Sequence, residues 1–215
     1  MEDNILKAIK PCLFPNLGYL EIKLPPTALK FLGSSIKNKD NKKHNPRLAG
    51  NIGSSYLIPD KDNWFFSKVI CPCIEKYGKY FGPASHPYLI KDCRYILHSM
   101  WVNYQKKYQF NPLHHHTGVF SFVVWYKIPY SSEKEKEIPF VKHSNNPRAS
   151  CFEFVYNDII GQPRNKTFSL SPKNEGTMIF FPSTLRHQVY PFYTSNKDRI
   201  SISGNILVDP KQIVK

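Results

Sequence analysis

The second half of the chain is built from short segments that have the residue pattern of β-strands. Turn-forming residues separate these segments, which cover residues 93–109, 119–130, 150–157, 177–183 and 199–208. Short strands divided in this way are typical of antiparallel sandwiches and barrels. We therefore predict that residues 93–215 form a β-sandwich.

The first 92 residues have a different, mixed pattern. Residues 18–25 alternate like a strand, and residues 27–39 place Leu29, Leu32 and Ile36 at helical spacing. Residues 62–82 predict a helix that is capped by Asp62 and interrupted at Pro72. A chain of 215 residues is long enough for one well-filled core. We predict one domain, in which a helical or mixed part (1–92) supports a β core (93–215).

The chain is basic, with 30 Lys and Arg against 16 Asp and Glu and a formal charge of +14. Much of the charge lies in segments that the sequence predicts to be a solvated basic loop (Lys37 to Lys43) and a long turn of mixed sign (Ser131 to Glu137). A positive balance attracts polyanions, so nucleic acid is one candidate partner. Charge alone does not select it.

The five cysteines are irregularly spaced, and only Cys71 and Cys73 are close together. This pattern indicates reduced thiols and a cytoplasmic protein. The first ten residues are acidic and then amphipathic, which does not predict a signal peptide. No apolar run reaches the roughly 18 residues that a membrane-spanning helix needs, so we expect no membrane partner.

Three consecutive histidines occupy positions 114–116. Side chains alternate along a strand, so His114 and His116 can point to one place while His115 points away. His187, which follows the strand segment 177–183, can supply a third imidazole, and neutral imidazoles bind iron, zinc or copper. The alternatives are a surface run of histidines and a His187 that is simply an ordinary hydrogen-bonded residue.

Twelve residues after His187, Arg199 and Ser201 share one face of a predicted strand. An arginine inside a β core is costly to bury without an anion, and its guanidinium can bind a carboxylate through paired hydrogen bonds. The alternatives are an internal salt bridge to Asp198 or Glu153, and an arginine that extends to the surface.

His-x-His, a distal His and then Arg-x-Ser together resemble the 2-oxoglutarate- and Fe(II)-dependent oxygenases. Over residues 93–208 the chain is similar to oxygenases carried by phages, and its layout resembles that of prolyl hydroxylases. The resemblance implies a double-stranded β-helix (a jelly-roll, cupin-like core) and the use of Fe(II), 2-oxoglutarate and O2.

The resemblance also implies a role for individual residues. His114, His116 and His187 would bind the metal, and Arg199 with Ser201 would bind the 5-carboxylate of 2-oxoglutarate. Tyr126 would add a phenol hydrogen bond to that carboxylate, or else be an ordinary buried aromatic. Asn103 would contact the carboxylate next to the metal.

One departure concerns His116, because the family usually has Asp or Glu at this position. Three interpretations are open: three histidine ligands, only His114 and His187 with water in the third place, or an ion other than iron.

The expected activity is hydroxylation of a protein or peptide side chain, with release of succinate and CO2. The alternatives are an oxygenase that acts on nucleic acid, a three-histidine dioxygenase without 2-oxoglutarate, and a non-enzymatic metal-binding β-sandwich. If the chain is encoded by a phage, we expect it in the cytoplasm of the infected cell.

Overall fold

The computed structural model describes residues 17–38, 41–82, 94–209 and 211. In these residues ten strands form two antiparallel sheets. The strands are β1 (Leu20–Lys23), β2 (Ser54–Leu57), β3 (Tyr95–Gln105), β4 (Asn111–His114), β5 (Phe120–Lys127), β6 (Phe152–Asn157), β7 (Pro163–Phe168), β8 (Thr177–Pro182), β9 (Arg186–Val189) and β10 (Arg199–Val208).

The larger sheet has the order β1-β8-β5-β10-β3-β2, and the smaller has the order β4-β9-β6-β7. The two sheets pack face to face through aromatic rings: the ring centroids of Trp125 and Phe152 are 6.0 Å apart, and those of Phe154 and Phe181 are 4.9 Å apart. Two such sheets are a jelly roll, so the predicted mainly β fold with a double-stranded β-helix core is confirmed.

Strand β5 is buried on both of its faces. Phe120, Phe122 and Val124 belong to a core under the helices, whereas Val123 and Trp125 belong to the core between the sheets. Successive side chains of a strand point to opposite faces, so the sequence of a strand that is covered on both sides is an unbroken run of apolar residues. The sheet therefore separates a helix-side core from an inter-sheet space.

Helices cover the outer face of the larger sheet. They are α1 (Pro26–Ile36) and α2 (Cys71–Phe81), and a π-helical turn (Phe66–Ile70) leads into α2. Both predicted N-terminal helices are present. The N-terminal part also supplies both edge strands of this sheet, since β1 pairs with β8 and β2 pairs with β3. The predicted boundary at residues 92 and 93 lies outside the described residues, and the single domain stays a prediction.

The predicted cap at Asp62 is wrong. Asp62 has a left-handed backbone (φ 57°), whereas the carboxylate of Asp60 accepts hydrogen bonds from the backbone N–H groups of Phe65 and Phe66 at 2.7 and 2.8 Å. The predicted interruption at Pro72 coincides with the change from the π-helical turn to α2, because Pro72 stands in the first turn of α2, directly after the π-helical residues.

Two other predictions for local structure need correction or completion. Residues 131–137 are not only a turn, since they contain the short helix α3 (Ser132–Lys136), which is followed by α4 (Pro139–Lys142). Part of the basic loop, residues 39 and 40, lies outside the described residues, as does the segment examined for a signal peptide.

Two further observations concern the cysteines and the length of the helices. Cys71, Cys73 and Cys151 are free thiols. Within the described ranges, no helix combines the length and the apolar character needed to cross a bilayer.

A substitution at Gly204 of β10 would test how closely the larger sheet is packed. A Cβ added there would lie 2.6 Å from Cε1 of Phe122 and 2.8 Å from the backbone oxygen of Ser99. We expect Gly204→Ala to lower the free energy of unfolding by about 1–3 kcal/mol in urea titrations, because a buried ring or the backbone must move.

Gly78→Ala is the matched control. Nothing lies within 4 Å of a Cβ at Gly78, in the middle of α2. This substitution should raise the free energy of unfolding by about 0.5–1 kcal/mol, because alanine favours helix. Equal stability of the Gly204→Ala protein and the wild type would contradict the tight packing.

Candidate functional site

Three histidines converge on one point between the two sheets. His114 ends β4 and is the cross-strand partner of His187 in β9, while His116 lies two residues beyond β4. One ring nitrogen from each lies within 4.8 Å of the others. The predicted convergence of the three imidazoles is therefore present. His187 follows strand β8, as predicted, and belongs to a short strand of its own, β9.

Backbone oxygens fix the tautomer of two of these histidines. Nδ1 of His114 lies 2.7 Å from the carbonyl oxygen of Pro112, and Nδ1 of His187 lies 2.9 Å from that of Leu185. A carbonyl oxygen only accepts, so each Nδ1 carries the hydrogen and each Nε2 keeps its lone pair. Both rings are thus prepared to bind a cation through Nε2.

A side chain performs the same task for His116. Nδ1 of His116 lies 2.7 Å from Oδ1 of Asn205 on β10. The same Oδ1 accepts a hydrogen bond of 2.9 Å from the hydroxyl of Ser121, which lies 3.0 Å from the hydroxyl of Ser183. Asn205 therefore gives His116 the same tautomer as the other two histidines.

Burial keeps the three rings neutral. Desolvation lowers the pKa of His116 to about 4, and it lowers the pKa of His187 well below its ordinary value, with the neighbouring His114 and His116 adding to the shift. The pKa of His114 is also lowered, mainly by burial. Neutral imidazole is the form that binds metals.

The ring nitrogens themselves suggest a cation. The Nε2 atoms of His114 and His116 are 3.2 Å apart, and with both hydrogens on Nδ1 two lone pairs face each other across that gap. A metal ion between them would remove this repulsion, and a set of imidazole donors suits iron, zinc, copper or nickel. The three histidines therefore fit a transition metal.

A cavity of about 280 Å³ extends from the histidines along the inner face of the larger sheet. Its lining includes the three histidines, Asn103, Ser201, Ser203 and Asn205, and none of the described residues that line it is Asp or Glu. On β10, Ile200, Ile202 and Ile206 point to the helix-side core, so the alternate residues face this cavity. Asn103 and Ser201 thus lie at the site, as the sequence predicted.

Arg199 lies beyond Ser201 on the same face of β10. Only 2% of its surface is exposed, which excludes an arginine that extends into the solvent. Its guanidinium carbon is 5.7 and 5.6 Å from the ring centroids of Tyr130 and Phe192. The part of the chain that is described holds no ion pair to Arg199, and Glu153 pairs with Arg148 instead. Arg199 is therefore a buried positive charge without a carboxylate partner.

The predicted contact of Tyr126 with the co-substrate is wrong. Tyr126 packs against the helix-side core, where its hydroxyl lies 2.6 Å from the position of a Cβ on Gly33. Tyr130 is the tyrosine beside the arginine, since its hydroxyl accepts a hydrogen bond of 2.6 Å from Nη1 of Arg199. The strand ends at Lys127, so face alternation no longer decides where Tyr130 points.

The sequence analysis also missed Asn205, Ser121 and Ser183. Asn205 stands six residues after Arg199, and this even spacing in the sequence could have placed it on the same face of the strand. Ser121 and Ser183 had no comparable signal, because they come from strands or turns whose pairing is decided only by the fold.

Asn205→Leu should weaken metal binding by about 10- to 100-fold, because His116 would lose the acceptor that orients its ring. Titration with Co(II), followed by its visible absorption, measures the affinity without any catalytic step. Asn205→Asp keeps an acceptor and should keep tight binding. Asn165→Leu, at an exposed position of β7, is the control. Wild-type affinity in Asn205→Leu would contradict the assigned role.

Three comparisons with known proteins bear on this site. Residues 99–205, which contain the three histidines and Arg199, match the family model described as "Putative 2OG-Fe(II) oxygenase". None of the curated proteins matches the chain.

Two solved structures show the same fold. A prolyl-4-hydroxylase from Pseudomonas putida is 12% identical, with a TM-score of 0.51 over 90% of this chain and 94% of that one. An oxidoreductase of the 2OG-Fe(II) oxygenase family from Burkholderia pseudomallei is 15% identical, with a TM-score of 0.51 over 88% and 84%. With the matched family model, the chain belongs to the 2-oxoglutarate- and Fe(II)-dependent oxygenases, enzymes that use Fe(II), 2-oxoglutarate and O2.

Proposed function

We propose that His114, His116 and His187 together hold the Fe(II) of this oxygenase, and that it hydroxylates a protein or peptide side chain. The observation that supports the metal site most strongly is the common geometry of the three rings. Each has its Nδ1 beside an oxygen acceptor, and each has its Nε2 free toward the same point.

The environment of His116 favours three histidine ligands over two histidines and a water. A ring that was only a neighbour of the metal would not need a fixed tautomer, yet Nδ1 of His116 is held by Asn205 as firmly as the other rings are held by carbonyls. Three neutral ligands leave the metal one unit more positive than two histidines and a carboxylate would. That extra charge favours a dianionic co-substrate.

We place 2-oxoglutarate in the cavity beside the histidines, with its 5-carboxylate directed toward Arg199, which lies two residues along β10 from the cavity-lining Ser201. Asn103 and Ser201 line this cavity and can donate hydrogen bonds to the carboxylates of 2-oxoglutarate. Arg199, whose buried charge has no internal carboxylate partner, is the candidate for the 5-carboxylate. Tyr130 then takes the supporting place that the sequence assigned to Tyr126.

When bound, Fe(II) with 2-oxoglutarate and O2 supplies an oxidation that releases succinate and CO2. The chain orients these reactants and limits water. Aromatic rings surround the histidines: Phe181 lies 5.1 Å and Phe152 lies 5.6 Å from His187, and Trp101 lies 5.7 Å from His116, measured between ring centroids. A substrate would therefore approach the histidines through the mouth of the cavity.

A protein or peptide substrate is favoured by the fold, because the P. putida structure with the same architecture is named a prolyl-4-hydroxylase. The mouth is bordered by Arg47, Ala49, His115 and Thr117, all of them exposed. Among them, one ring (His115) could stack on a base and one fixed positive charge (Arg47) could pair with a phosphate. A groove for single-stranded nucleic acid combines several of each, which counts against the nucleic-acid alternative.

His116→Ala should abolish both metal binding and the production of succinate from 2-oxoglutarate, because the metal would lose one of three ligands. With Mn(II), wild-type protein should be stabilised by 2-oxoglutarate, by about 2.7 kcal/mol at 100 times the dissociation constant. His115→Ala removes the adjacent, outward-pointing ring and should leave metal binding intact. Equal metal affinity in the His116→Ala protein and the wild type would favour two histidine ligands.

The substrate class is tested by mass spectrometry of a peptide library treated with the enzyme, Fe(II), 2-oxoglutarate and O2. We expect some peptides to gain the mass of one oxygen atom, and His187→Ala protein to produce no such gain. Oxygen transfer to oligonucleotides, with none to peptides, would reverse the choice between the two substrate classes.

A further inference from the structure

The side chain of Gln105 occupies the face of Arg199 that a carboxylate would use. Its Oε1 accepts hydrogen bonds from Nε at 3.2 Å and from Nη2 at 2.6 Å. These two nitrogens form the forked edge through which a guanidinium binds a carboxylate. A neutral amide oxygen therefore stands where the co-substrate's distal carboxylate is expected.

The remaining donors of Arg199 are also in use. Nη1 donates to the hydroxyl of Tyr130 at 2.6 Å and to the backbone oxygen of Ser150 at 3.1 Å, and Nη2 donates to the backbone oxygen of Tyr190 at 3.2 Å. A guanidinium has five N–H groups, and each has a protein acceptor here. Direct binding of a carboxylate thus requires that one present partner leaves.

Gln105 is the partner best able to leave. The backbone at Ser150 and Tyr190 is itself tied by hydrogen bonds to Pro191 and Cys151. Tyr130 stacks on Phe192 with ring centroids 4.7 Å apart, and its hydroxyl donates to the backbone at Ser150. By contrast, among the described residues the amide of Gln105 is held, apart from Arg199, only by the backbone oxygen of Gln109.

Gln105 lies beside the arginine and close to the cavity. Gln105 is the cross-strand partner of Arg199, and Asn103, two residues before it on the same face of β3, lines the cavity. The exchange is favourable in charge, because an amide satisfies the N–H groups of a buried guanidinium without neutralising it, whereas a carboxylate does both.

We propose that Gln105 holds the fork of Arg199 in the protein without co-substrate, and that the distal carboxylate of 2-oxoglutarate displaces it. This inference rests on the proposed function, since it assumes that Arg199 is the anion anchor. Gln105 is then a positioning residue that sets co-substrate affinity, because part of the binding free energy is spent on releasing its side chain.

The test is Gln105→Glu, which places a carboxylate of the same shape in the fork. We expect the affinity for 2-oxoglutarate, measured calorimetrically with Mn(II) present, to fall by at least about tenfold, because an internal ion pair now competes with the ligand. Binding of Mn(II) itself should be unchanged, and the melting temperature should not fall. Gln162→Glu, in an exposed turn, makes the same charge change as a control.

Gln105→Ala is the complementary variant. It should melt at a lower temperature without 2-oxoglutarate, but it should bind 2-oxoglutarate at least as tightly as the wild type, because nothing has to be displaced. Two results would contradict the proposed displacement of Gln105. One is wild-type affinity for 2-oxoglutarate in Gln105→Glu, and the other is tenfold weaker binding of 2-oxoglutarate in a folded Gln105→Ala protein. If wild-type protein with Mn(II) binds no 2-oxoglutarate, the proposed function itself fails, and the inference fails with it.

Discussion

The pairing of β10 with both β3 and β5 is the constraint on which the rest of the structure depends. Because β10 lies between these strands, its register decides which of its residues enter the helix-side core and which face the smaller sheet. A slip of one residue would send the isoleucines into the cavity and Arg199 into the helices. The apolar face of β10 therefore stabilises the fold and at the same time holds the polar face in place for the site.

The charge of the site follows from what surrounds it. The cavity is bordered by three neutral imidazoles and by hydroxyl and amide groups, with the buried charge of Arg199 beyond them and no acidic residue among the described residues of the lining. A cation at the histidines would add to this positive field. In the arrangement that we propose, 2-oxoglutarate, a small dianion, would compensate the positive charge at both ends.

The sequence predicted the parts of the site that lie within strong periodic patterns. His114, Asn103, Arg199 and Ser201 could be placed because alternation along a strand decides their face. His116, which lies two residues past the end of β4, could be identified only from the His-x-His motif. The prediction for Tyr126 was wrong because its side chain follows the alternation of β5 and points to the helices, whereas Tyr130 lies past the end of the strand, where no periodicity applies.

The helix cap was misplaced because Asp60 and Asp62 differ only in backbone conformation, which the sequence does not show. The short strands β4, β7 and β9 lack long apolar runs, and their existence depends on pairing partners far along the chain.

The proposed use of His116 in place of a carboxylate ligand would change what the surrounding residues must supply. A carboxylate ligand has only acceptor oxygens and is oriented by hydrogen-bond donors, whereas an imidazole that binds through Nε2 has an N–H to satisfy and needs an acceptor. Asn205 provides that acceptor, and the hydroxyl of Ser121, by donating to the same Oδ1, favours the orientation in which the oxygen faces the ring. His116, Asn205 and Ser121 therefore form one unit, and a carboxylate at position 116 would find the wrong group of Asn205 turned toward it.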